Sequence, residues 1–167
     1  MMLEKTTLQV EKGLLEKFQE TVVQRFGKLK GAQSEALAEA MKLWLSYTGS
    51  LKCVRLFGGG VDKVVGLEEV PAVVVDCLKR KMFSRSDISI VPLFFRFTAE
   101  DFNFLHVQLE NMLGGLALRE DGEENEKAAV WRLNERKLFK MYFTEKLISF
   151  GVRLEESELE EFRKSHR

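Results

Sequence analysis

Polarity alternates over the first ten residues. In Lys5-Thr6-Thr7-Leu8-Gln9-Val10, the residues Thr6, Leu8 and Val10 share one side of an extended chain and Lys5, Thr7 and Gln9 the other. That period of two predicts a strand with one apolar and one polar face. Glu11-Lys12-Gly13 interrupts it. From about Leu14 to Phe26 the period lengthens: Leu14, Phe18, Val22 and Phe26 recur at i, i+4 and predict a helix. Gly27 suits the position just past a helix end, and Lys28-Leu29-Lys30-Gly31 reads as a turn. A second helix is predicted over about Ala32 to Tyr47, with Leu37, Met41, Trp44 and Leu45 on its apolar face and Thr48-Gly49-Ser50 ending it. The character of the chain changes there, so residues 1–49 and 50–167 are read as two domains.

The second part reads as α+β. Leu51 to Phe57 alternates loosely and leads into Gly58-Gly59-Gly60. Pro71 suits the first turn of a helix reaching about Phe83. Ile88 to Phe97 is β-branched and aromatic, with Pro92 marking an edge or bulge. Thr98-Ala-Glu-Asp101 resembles a capping box and opens a helix carrying Phe102, Leu105, Leu109 and Met112, which stops at Gly114-Gly115. Leu116 to Arg119 and Ala128 to Leu133 read as strands joined by an acidic loop. Beyond Asn134 two readings compete. One is a helix to Phe150 with Phe139, Phe143 and Leu147 on one face; the other is a strand through Leu138 to Phe143. Glu155 to Arg163 reads as a terminal helix, acidic first and basic last.

Composition narrows the class. At 45% hydrophobic and 31% charged residues, with two prolines and no low-complexity segment, the chain fits a folded globular protein. Lys+Arg and Asp+Glu balance at 26 each, which argues against non-specific wrapping of nucleic acid but not against a local reading surface. No run is long and apolar enough to span a bilayer, and no signal peptide is visible, so no membrane partner is expected. Two cysteines, Cys53 and Cys77, make no disulfide framework and suit a reducing cytoplasm.

A strand, a helix, a turn and a helix within fifty residues bury little by themselves. A lone strand also leaves both its edges unpaired. A symmetric dimer repairs both faults: two strands pair antiparallel, Leu8 and Val10 turn inward, and Lys5, Thr7 and Gln9 are presented outward twice. A two-stranded ribbon of this kind fits the DNA major groove. Thr6-Thr-Leu-Gln-Val-Glu-Lys-Gly-Leu-Leu-Glu-Lys-Phe18, with Phe26-Gly-Lys-Leu-Lys-Gly-Ala-Gln-Ser-Glu-Ala-Leu-Ala-Glu-Ala-Met41, resembles the ribbon-helix-helix (Arc/MetJ-type) repressors, and the Gly-Lys-Leu-Lys-Gly turn looks like that of archaeal members. The resemblance ends near residue 49. It implies that Lys5, Thr7 and Gln9 touch bases and that Ala32, Gln33 and Ser34 lie where helix amides hold a phosphate. It departs from the family at Gly31, where a Ser, Thr or Asn cap is commoner.

The chemistry of these side chains agrees. Lys donates to guanine O6 or N7, Gln pairs with adenine N6 and N7, and Thr bonds a base edge or touches a thymine methyl. A helix start offers amide donors and a positive dipole end to phosphate, and Lys28 and Lys30 add charge attraction. The expectation is a dimeric or higher-order, sequence-specific transcriptional regulator of the repressor type, bound to double-stranded DNA. Its second domain would answer to a small-molecule effector or a partner, or build a higher oligomer. The alternative is an antitoxin joining operator binding to toxin binding; a folded, aromatic-rich domain of over a hundred residues is unlike the short segments such proteins use. No enzyme, cofactor or metal is expected. Gly58-Gly59-Gly60-Val-Asp-Lys63 lacks phosphate-loop spacing, and Cys53, Cys77, His106 and His166 lack metal-ligand spacing. Glu120, Asp121, Glu123, Glu124 and Glu126 read as a solvated loop, and Phe94, Phe95 and Phe97 as core rather than a ligand box.

Overall fold

In the computed structural model the first regular element is a helix, α1, Lys12–Phe26, which ends where Gly27 adopts a left-handed φ of 71° and returns its amide to Val23. The next is α2, Ala32–Tyr47. The structure describes residues 2–84, 86–114, 118–121, 126–134 and 136–154, with backbone alone at 118–121 and 154. The strand expected over Lys5–Val10 is not formed: residues 2–11 belong to no helix and no ladder. Pairing defines a strand, and no other segment of the described chain pairs with this one. The order is therefore helices first, then sheet.

The chain divides into two compact units, residues 1–41 and 42–167. The division falls inside α2, ahead of the boundary expected after Gly49. The reason is local to the second unit. Ser46, on the last turn of α2, is 4% exposed, and its hydroxyl donates to Leu93 O at 2.8 Å while accepting from Cys53 N at 3.3 Å.

The second unit is a seven-stranded sheet of order β2-β1-β3-β7-β6-β5-β4, antiparallel throughout. Its strands are β1 Cys53–Gly58, β2 Val61–Gly66, β3 Ile88–Pro92, β4 Leu118–Asp121, β5 Lys127–Arg132, β6 Lys137–Phe143 and β7 Ile148–Leu154. Helices α3, Val70–Lys79, and α4, Ala99–Leu113, complete it. One face of the sheet is the core. Val54, Leu56, Ile90, Ile148, Phe150, Met141, Phe139 and Trp131 come from alternate strand positions and join Val74 of α3 with Phe102, Leu105 and Leu109 of α4. The opposite face carries Arg55, Asp62, Val91, Ser149 and Arg153 at the intervening positions.

Several sequence features act as expected. Pro71 sits in the first turn of α3. The capping box at α4 is complete: Asp101 N donates to Thr98 Oγ1 at 3.3 Å and Thr98 N to Asp101 Oδ2 at 2.8 Å. Others are corrected. The helix expected to reach Phe83 stops at Lys79, with a short 3-10 turn over Met82–Ser84. Val61–Gly66, unassigned from sequence, is the edge strand β2. The helix expected from Asn134 to Phe150 is the hairpin β6–β7, so its competitor, the strand through Leu138–Phe143, is the one formed. Asn134 does cap amides, but as a turn: Oδ1 accepts from Arg136 N and Lys137 N, both at 2.9 Å. The predicted terminal helix and residues 116 and 117 lie outside the described residues.

The glycine run after β1 is a hairpin turn. Gly58 has φ +104°, and a Cβ there would lie 2.1 Å from Asp87 O, so only glycine fits. No helix among the described residues is long and apolar enough to cross a membrane.

Candidate nucleic-acid interface

The first unit has a small buried core. Among its described residues only Val22 of α1 and Ala32 of α2 are buried apolar side chains, each 2% exposed. Arg25 reaches across the turn to Glu39 at 3.1 Å. Much of its apolar set predicted to face inward is open to solvent: Leu8, Val10, Leu14 and Met41 are all exposed. Burying such side chains is worth about 1.5–3 kcal/mol each, so this surface is a large unclaimed source of stability.

Lys5, Thr7 and Gln9 are all exposed on the segment before α1. They alternate with Leu8 and Val10, so an extended backbone sends the two sets to opposite sides. At the start of α2 the groups divide. Lys28, Lys30 and Ser34 are exposed, and neither lysine makes an ion pair among the described residues. Ala32 is buried, and the Gln33 amide already donates to Leu29 O at 3.1 Å. The side chains open to solvent here are those of Lys28, Lys30 and Ser34. Gly31 has φ +83°, a backbone that a Ser, Thr or Asn cap adopts only with strain, which accounts for the glycine there. A shallow depression on α1 is lined by Glu16, Gln19, Glu20, Val23 and Gln24. Its two carboxylates make it unsuited to phosphate.

The second unit places the other singled-out residues apart. Cys53 and Cys77 are free, buried thiols whose pKa values are pushed up by burial. His106 lies on α4, with its ring 5.6 Å from that of Trp131. His106 Nε2 and Trp131 Nε1 are buried without a partner among the described residues, an irregularity with no signal in the residue pattern. No three His, Cys, Asp or Glu side chains converge among the described residues. His166 and the acidic residues at 123 and 124 lie outside them, as do the side chains at 120 and 121; Glu126 is exposed. The phenylalanine cluster splits: Phe97 is buried, Phe95 packs on it edge to face at 5.5 Å, and Phe94 is 65% exposed.

No family model, curated protein or solved structure matches the chain.

Proposed function

We propose that this chain is a sequence-specific DNA-binding regulator whose first 49 residues form a ribbon-helix-helix module with a second copy. The observation that carries the reading is the alternation over residues 5–10 ahead of two helices that bury little by themselves. Leu8 and Val10 are open apolar side chains, Lys5, Thr7 and Gln9 are open polar ones, and residues 5–10 belong to no helix and no strand ladder among the described residues. Antiparallel pairing with a second copy satisfies the backbone, buries Leu8 and Val10 beneath the helices, and presents Lys5, Thr7 and Gln9 as a double row to base edges. Lys28, Lys30 and Ser34 then meet the phosphates beside the groove. In this reading the sheet unit is the responsive part, biased by an effector or a partner. It reports to the module through α2, the helix that both units share.

The test is fluorescence anisotropy with a duplex selected from a random pool and a scrambled control. The wild type should prefer the selected duplex. Replacing Lys5, Thr7 and Gln9 together by alanine should abolish that preference while circular dichroism stays unchanged. Undiminished preference in the folded triple variant would remove the ribbon as the reading head.

A further inference from the structure

The face of the sheet turned away from the core is uneven in charge. Directly opposite residues in an antiparallel ladder share a face, and residues two apart along a strand return to it. By that rule the five inner strands, β1, β3, β7, β6 and β5, put four charged residues on this side: Arg55, Arg153, Lys140 and Arg132. All four are basic, in a chain whose 26 basic and 26 acidic residues give no overall bias. Asp62 meets Arg55 from the edge strand β2, and Asp87 meets Arg153 from the turn ahead of β3. Both pairs are solvent-exposed, so neither withdraws its guanidinium from an incoming anion.

One row crosses four strands between these cations. Phe57 of β1 lies opposite Ser89 of β3, Ser89 opposite Ser149 of β7, and Ser149 opposite Tyr142 of β6. With strands spaced about 4.8 Å apart, the two aromatic positions are roughly 14 Å apart over a floor of two serines. Phe57 is 37% exposed although wholly apolar, and Tyr142 is half-buried. The Tyr142 hydroxyl is engaged by Glu126, which raises its pKa and keeps the phenol uncharged. The register sets Arg55 on one flank of the row and Lys140, Arg153 and Arg132 on the other.

We propose that this face of the sheet binds a single-stranded nucleic acid, with bases laid against Phe57 and Tyr142 and phosphates held by the flanking cations. The combination selects the occupant: a phosphate answers the cations and a base answers the rings, and a nucleotide carries both. Bases stack on aromatic side chains whatever their sequence, while a cationic groove follows the backbone. A duplex cannot use the row, because its bases are already stacked on one another. Every residue invoked belongs to the sheet unit, so the site stands apart from the ribbon-helix-helix reading.

The test is fluorescence anisotropy of the full chain on a labelled oligothymidylate across a range of salt. The chain should bind it, more weakly as salt rises. Phe57→Ala with Tyr142→Ala should raise the Kd at least about tenfold. Circular dichroism should stay unchanged, since neither side chain belongs to the core. Asp62→Asn removes a carboxylate from beside Arg55 and should lower the Kd about twofold or more, with a steeper salt dependence. A merely structural role for that ion pair gives no such gain. Replacing Lys5, Thr7 and Gln9 by alanine should leave single-strand binding intact and make the single strand preferred over a duplex of equal length. Absence of binding by the full chain overturns the proposal, as does undiminished binding by the folded Phe57/Tyr142 variant. Loss of binding in the Lys5/Thr7/Gln9 variant assigns the single strand to the first unit and overturns it too. Polyglutamate competing as well as oligothymidylate of equal charge would show a face that reads charge alone, open to an acidic protein, and would also overturn it.

Discussion

Arg153 of β7 holds Asp87, just ahead of β3, in a two-pronged ion pair: Nη1 to Oδ1 at 2.9 Å and Nη2 to Oδ2 at 2.6 Å. The carboxylate holds the guanidinium pKa above its ordinary value. The pair lies over Gly151, where a Cβ would come within 2.5 Å of both Arg153 Nη1 and Asp87 Oδ1. The absence of a side chain at Gly151 therefore makes room for the pair.

Gly151→Ala should push the two side chains apart and cost no more than about 1 kcal/mol, because both partners are more than a third exposed. Chemical denaturation should show Arg153→Met losing a similar amount. In the double variant the losses should not add, since each substitution breaks the same contact. Full additivity would mean that Gly151 matters for another reason.

Gly58→Ala should be far more severe. The added Cβ meets the backbone of Asp87, which cannot swing away as a side-chain end can. A loss of about 3 kcal/mol or more is expected, seen as a lowered melting temperature or loss of soluble protein. Near-wild-type stability would show that the β1–β2 hairpin tolerates another turn.

Ser46→Ala leaves Leu93 O without its hydroxyl donor and Cys53 N without its hydroxyl acceptor, both in a buried setting. A loss of about 1–3 kcal/mol is expected. Hydrogen exchange should speed up in the last turn of α2 and at the start of β1. Unchanged exchange there would mean that Ser46 does not fix α2 to the sheet.

The two thiols set a pH dependence. Burial raises both pKa values above the ordinary 9.0. A group that ionises less readily when folded contributes stability that is fully present below the unfolded pKa. That contribution is lost as pH rises through the folded value. Denaturation midpoints should therefore fall above pH 9, and more steeply than in Cys53→Ala/Cys77→Ala. Thiol reagents should modify both residues only as fast as the chain opens. Rapid modification of the native protein would contradict their burial.

On DNA, Gln9→Ala and Lys30→Ala should behave differently. The first should cost about 1–3 kcal/mol on the selected duplex and relax preference near one base pair. The second should weaken binding to every duplex and reduce the salt dependence. Equal losses on both duplexes for Gln9→Ala would assign it to the phosphates.

Local signals in the sequence determined the elements whose stabilising contacts lie within a few residues. The apolar spacing of α1, the glycine after Phe26, the bounds of α2 and the box at Thr98 and Asp101 are of this kind, and the structure has all four. Strand β6 was legible only as one of two alternatives, and its hairpin partner β7 was not read from the sequence. Phe139 and Phe143 are four residues apart, a spacing that satisfies both the helical period and twice the strand period. Packing resolved it: Met141 between them also faces the core, which only a strand allows. Edge strand β2 was not legible, because Val61-Asp62-Lys63-Val64 does not alternate. Its place comes from the Gly59–Gly60 turn and the backbone ladder to β1. The side chains of the candidate interface could be named from sequence, since polarity alone separates Lys5, Thr7 and Gln9 from Leu8 and Val10. The exposed rings of Trp44, Tyr47 and Phe94 could not. Two of them are separated from the third by nearly fifty residues, and tertiary bonds such as that from Ser46 to Leu93 bring them together.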